Sequence, residues 1–202
     1  EDENVTHVDG SVDPVRDLET IQMELILADL DTVQKRIPKV EKKAALKTDE
    51  EMVIEFNILK KAEALLLEES PVRLGSFTVE ETVRLKGYGL LTQKPMLYVL
   101  NVSEDQLTTV EDLPSYQNLK AFAVKENADV IALSAKLESE LISFDEAEKQ
   151  EMLEMYGLES SGLDHLIKES YDLLNLKTFF TAGEKEVRAW TFKDGMTAKE
   201  CA

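Results

Sequence analysis

The chain has 202 residues, with 23 Lys and Arg against 41 Asp and Glu, and its net charge of −18 excludes a generally basic nucleic-acid binder. With 43% apolar and 32% charged residues and only 8 Gly and 5 Pro, it reads as a helix-rich globular protein rather than a disordered or fibrous one. No apolar run approaches the roughly 18 residues that a membrane helix needs, and the single Cys201, with no secretory-type leader at the start, points to a reducing cytoplasm without internal disulfides.

Asp13-Pro14 supplies an N-cap and a proline at the first helical position. Apolar residues then recur at Leu18, Ile21, Leu25 and Ala28, and again at Leu30, Val33, Ile37 and Val40, predicting a long amphipathic helix with a stutter between the two sets. Pro38 is expected to bend or end it. A capping box, Thr48 to Glu51, opens a second helical run through Met52, Phe56, Leu59, Ala62 and Leu66, ended by Ser70-Pro71. The pair forms an antiparallel helical hairpin. Its tip is basic, since Lys35, Arg36, Lys39, Lys42, Lys43 and Lys47 face one acid, Glu41. Such a tip on an acidic body suits RNA phosphates, and equally suits a solvated turn.

After a short helix begun by Thr78 to Glu81, the compact run Pro95 to Leu100 predicts a strand buried on both faces. Pro114 opens a helical stretch, and Ala128 to Leu133 is a second short strand, giving a β-α-β unit with a parallel pair. Ser143 to Glu146 is expected to cap a further helix, and Leu163 to Leu174 marks another. Leu176 to Phe180 and Glu186 to Phe192 read as a β-hairpin, in which Trp190 and Phe192 pack into a core. Thr197 to Glu200 has the form of a capping box with two residues after it, so both ends are expected to be cut and the chain to be a fragment.

Functional loops of such units lie at the carboxyl ends of the strands. Here these are Asn101-Val102-Ser103-Glu104 and Ser134-Ala135-Lys136, 33 residues apart from Asn101 to Ser134. Their order and spacing match the base-reading half of a GTPase domain, whose usual first loop is N-K-x-D. Val102 and Glu104 replace the Lys and the Asp that accepts two N–H bonds from guanine. Adenine has no ring N1–H, so the longer carboxylate loses the paired contact that selects guanine, and ATP is expected to be accepted at least as well as GTP. Val102 is expected against a base face, Glu104 at the pocket edge, and backbone N–H groups of Ser134 and Ala135 on the other side. As bare strings, both segments also suit ordinary loop and capping residues. His7, His165 and Cys201 make no metal-ligand spacing, and Asp164 beside His165 suits a first helical turn without catalysis.

Val12-Asp13-Pro14, Leu25 to Asp31, the two loops, and above all Leu174 to Gly183 with Glu186 to Thr191 resemble the Obg-like ATPase or YchF family, and the similarity covers essentially the whole chain. The resemblance implies an α/β fold: a partial P-loop NTPase (GTPase-like) domain at 1–16 and 71–173, an inserted antiparallel α-helical coiled coil at 17–70, and the start of a ubiquitin-like β-grasp TGS domain at 174–202. It further implies cytosolic hydrolysis of ATP in preference to GTP, dependence on Mg²⁺, and association with ribosomes. The base-binding residues carried over are Asn101, Val102, Glu104, Ser134 and Ala135. The family's Gly-Lys-Ser phosphate loop and D-x-A-G-L motif are not among the 202 residues, so no catalytic residue or metal ligand is assigned, and the chain alone is expected to be inactive. The alternative is a non-catalytic helical scaffold that binds a protein or RNA partner.

Overall fold

A computed structural model describes residues 13–46 and 50–201. Two compact units divide the chain, one at Asp13–Pro95 and the other comprising Met96 onward.

In the first unit, α1 spans Pro14–Ala44 and α2 spans Glu50–Leu67. Asp13 caps α1 by accepting the Arg16 N–H at 3.2 Å. Thr48 lies outside the described residues, so its expected capping role does too. The buried face of α1 is Ile26, Asp29, Val33, Ile37, Val40 and Ala44. It meets Ile58, Leu59, Ala62 and Leu66 of α2, and Val72, Leu85 and Leu90 complete the same core. That seam advances in steps of 3, 4, 4, 3 and 4 residues, so the stride does change, but across Asp29, Val33 and Ile37 rather than between Ala28 and Leu30. The apolar pattern breaks because a polar residue, Asp29, holds a seam position. Nor does Pro38 end the helix. A proline inside a helix costs about 3 kcal/mol, whereas Ile37 and Val40 beside it are both buried and each contributes about 2 kcal/mol of burial.

Asp29 is 2% exposed and reaches the 3₁₀ turn Leu91–Gln93. Its carboxylate accepts the Leu91 N–H at 2.8 Å, and the Thr92 N–H and hydroxyl at 2.7 Å each. The Thr92 hydroxyl accepts in turn from the Val72 N–H at 3.1 Å. Residues 71–95 are thereby tied to the helical pair. Within them, α3 (Val79–Lys86) carries the expected capping box, with Thr78 and Glu81 exchanging bonds of 2.8 and 3.2 Å.

In the second unit, β1 (Leu97–Asn101) and β2 (Asp129–Leu133) pair in parallel, in register from Leu97 opposite Asp129 to Asn101 opposite Leu133. Helix α4 (Pro114–Glu126) makes the crossover and ends on Asn127 at φ 51°, a left-handed cap that asparagine tolerates. Tyr98 and Leu100 are buried, but Val99 on the other face is 44% exposed, so β1 is covered on one face among the described residues, not two. After β2 come α5 (Ala135–Leu141), α6 (Glu146–Met155) and α7 (Gly162–Leu173). The cap of α6 is Asp145, two residues beyond the expected Ser143. Its carboxylate takes the N–H groups of Ala147 and Glu148 at 2.9 and 3.0 Å, an acceptor geometry that satisfies two end donors at once.

The expected hairpin is β3 (Leu176–Ala182) against β4 (Val187–Lys193), followed by α8 (Ala198–Cys201). Phe179 and Phe192 meet edge to face at 5.7 Å, and the Trp190 indole N–H donates to Thr181 at 2.8 Å. Trp190 is nonetheless 41% exposed. The expected core packing of this face is not realised within the described residues, where it lines a hollow of about 520 Å³ with Met196 and Cys201.

Candidate functional site

The parallel pairing carries the two predicted loops to the same end of the sheet and then binds them to each other. Past the last ladder pair, the Val102 N–H donates to the Leu133 carbonyl at 3.0 Å, continuing the strand alignment by one residue. The Asn101 side-chain oxygen accepts the Ala135 N–H at 2.9 Å. The Glu104 carboxylate meets the Lys136 ammonium at 2.6 Å, with the Glu104 side chain 13% exposed and that of Lys136 67% exposed. The bond to Glu104 holds the Lys136 ammonium above its usual pKa range. The first loop is braced internally as well, since the Ser103 N–H donates to the Gln106 side chain at 3.1 Å as the 3₁₀ segment Glu104–Asp112 begins.

The five site residues therefore come together, though not all in their expected roles. Val102 is 3% exposed and packed inside the protein, so it offers no surface to a base. Ser134 is 1% exposed, and its hydroxyl caps α5 by accepting the Leu137 N–H at 3.4 Å. The Ala135 N–H is committed to Asn101. What faces outward is Asn101, Ala135 and Lys136, with Glu104 largely enclosed. Lys136 is the member that sequence reasoning left out of the site. Its signal was present in Ser-Ala-Lys, but its reach to Glu104 depends on strand register.

A second missed residue is Gly162, the first of α7. Its N–H donates to Glu138 at 2.7 Å, and a Cβ placed on it would stand 2.6 Å from the Leu133 Cβ. Only glycine lets α7 approach the end of β2 so closely. His165 lies 3.3 Å from Glu169 on the same helix. Among the described residues no three His, Cys, Asp or Glu are placed to hold a metal ion.

The first unit holds another polar hollow, of about 530 Å³, lined by Arg36, Glu51, Glu55, Arg84 and Tyr88. Its charges pair with one another. Arg36 bonds Glu55 at 2.6 and 2.9 Å, the Tyr88 hydroxyl also donates to Glu55, and Arg84 joins Glu51. Burial opposes ionisation of Glu55, but the bonds from Tyr88 and Arg36 outweigh it and hold the carboxyl below its usual range. Burial and the bond to Glu55 push Tyr88 up to about 12. This is a clasp between helices rather than a ligand site.

Along its full length the chain is 52% identical to the "Ribosome-binding ATPase YchF" of Bacillus subtilis, of which it covers 55%. The chain is a YchF homologue throughout. The Escherichia coli O157:H7 protein of the same name is 39% identical over 202 residues and is covered to 54%. The YchF-GTPase_C family model, described as a protein of unknown function, matches residues 176–202. Among solved structures, the Schizosaccharomyces pombe YchF GTPase superposes over the whole chain with a TM-score of 0.86 at 30% identity, and 55% of it is covered. The fold is accordingly the α/β, mostly helical fold of YchF. The chain spans about half the length of the YchF relatives it matches, and their names differ on the nucleotide, ATPase in the bacterial proteins and GTPase in the yeast one.

Proposed function

We propose that these 202 residues are the base-reading and accessory portion of a YchF-type P-loop NTPase that binds and hydrolyses ATP in preference to GTP and works at the ribosome in the cytoplasm. The observation that carries this reading is the interlocking of two loops at the carboxyl ends of parallel strands, Asn101 to Ala135 and Glu104 to Lys136. That is where open α/β sheets take their ligands. In this reading residues 96–173 belong to the nucleotide-binding domain, α1 and α2 form the coiled-coil insertion, and β3, β4 and α8 begin a β-grasp TGS domain. The bare face of Phe179, Trp190 and Phe192 supports the last assignment, since a two-stranded hairpin alone is marginal.

Asn101 fixes the second loop, Val102 anchors the first from inside, and Ser134 holds the start of α5. A Gly-Lys-Ser loop is absent from the sequence, and no described cluster suits Mg²⁺. When bound, Mg²⁺ would neutralise the phosphates. No step through it is assigned to these residues, and hydrolysis by the 202 residues alone is not expected. Ribosomal RNA is the partner we assign to the basic end of α1. Lys35 is held by Asp31 at 2.6 Å and Arg36 by Glu55, leaving the exposed Lys39, Lys42 and Lys43 for phosphates. Lys47 lies outside the described residues. No described helix is long and apolar enough to cross a membrane.

The test is calorimetric titration of ATP and GTP into the longer protein that this reading implies. ATP binding tighter than GTP is expected. If neither nucleotide binds, the NTPase reading is falsified and a helical scaffold remains.

A further inference from the structure

We propose that the groove between α5, α6 and α7 docks a short basic peptide segment of a partner protein, one that carries an apolar anchor residue among its lysines and arginines. This is a second ligand for the unit that bears the two interlocked loops, beyond the nucleotide proposed above.

The groove encloses about 320 Å³. Leu141 of α5 and Leu153 of α6 line it and are 4% and 7% exposed, so its floor is apolar and closed to water. Ile142 and Leu163 line it as well, yet they stand 79% and 47% exposed. Large apolar side chains in water beside an apolar floor favour an anchor that covers them. The surrounding charge says what kind of chain brings that anchor. Glu138, Glu146, Glu159 and Asp164 face Lys149, the one base among the described lining residues, and Glu146 already holds that base at 2.9 Å. The surplus extends past the rim, since residues 134–174 carry eleven Asp and Glu against three Lys. Such a field repels nucleic acid and acidic peptides and draws in Lys and Arg. The walls are also set before anything binds. Glu138 accepts the Gly162 N–H at 2.7 Å, which ties α5 to the start of α7, and the Ser161 hydroxyl accepts the Asp164 N–H at 3.0 Å. A small preformed hollow suits one anchor and its flanking residues rather than a broad folded face.

The experiment titrates a fluorescein-labelled peptide, a single leucine between two lysine runs, into the longer protein and follows anisotropy, with serine in place of the leucine as the comparison. The wild type should bind the leucine peptide about tenfold more tightly, the worth of burying one such side chain. Leu163→Ser should erase that preference. Glu146→Gln combined with Glu159→Gln should weaken both peptides about threefold and flatten their salt dependence. The same change of charge on exposed residues of α1, Glu19→Gln with Glu24→Gln, should leave binding as it was. Equal binding of the two peptides by the wild type, a leucine preference that survives Leu163→Ser, or an equal loss in the α1 variant would overturn the proposal. So would no binding at all, the result if another segment of the longer protein fills the groove. Hydrogen exchange of the wild type needs no variant to fold: bound peptide should slow it over residues 138–164, and slowing confined to other residues would contradict this docking place.

Discussion

Asp29 and Val102 each sit where their neighbours in sequence give little hint of the job. A carboxylate on the apolar seam of α1 makes sense only because Leu91 and Thr92, more than sixty residues away, bring two N–H groups and a hydroxyl to it. Asp29→Ala strands two buried donors and one half-buried one and should cost about 3 kcal/mol of unfolding free energy in urea titration, whereas exposed Asp31→Ala should change it by less than about 1 kcal/mol. Val102 looked like a base-facing replacement for a lysine, and its string of neighbours supported that. Burial to 3% exposure reverses the inference. Introducing Lys there should destabilise the second unit by about 3 kcal/mol rather than convert specificity, because a charge would be buried without a partner. Asn101, by contrast, was legible as a loop residue from its place at a strand end, although its bond to the Ala135 N–H was not.

At the scale of elements, periodicity and capping residues marked nearly every helix and all four strands, because local rules govern them. What they missed involves one element touching another. Pro38 lies within a helix because tertiary packing outweighs its local cost. Gly162 gave no turn signal, since its need arises from the Leu133 side chain it must clear. Gly162→Ala should therefore push α7 from β2 and lower the melting temperature by several degrees, and Gly87→Ala, with its nearest neighbour at 3.3 Å, should do less. The clasp between α1, α2 and α3 also sets a pH response. Glu55 titrates below its ordinary value of 4.5 in the folded protein, so its contribution is complete above that value and is lost as pH falls through the lower folded one. Tyr88 titrates higher when folded, so its contribution is complete below 10.0 and disappears as pH rises through about 12. Thermal melts of the Glu55→Gln variant should show a flatter acid limb than the wild type.

For the whole molecule, the division at residues 13 and 96 separates a helical unit with its own core from an α/β unit that carries the candidate site. On a chain of net charge −18, the exposed Lys39, Lys42 and Lys43 near the end of α1 favour association with an anionic partner there. Ribosome binding by the longer protein should weaken with salt, and reversing the charges of Lys39, Lys42 and Lys43 should abolish most of that salt dependence in sedimentation assays. Fold class and loop placement were readable in the chain because hydrophobic pattern and strand ends encode them. The pairing of Lys136 with Glu104 was not, because it depends on parallel register and on the first turn of α5.

Photolabelling of the longer protein with 8-azido-ATP, followed by peptide mapping, asks where the base sits. The label should fall on peptides containing residues 101–106 or 134–137 and be displaced by ATP more readily than by GTP. A label confined to the unit at residues 13–95, or one that neither nucleotide displaces, would contradict a purine held between these loops.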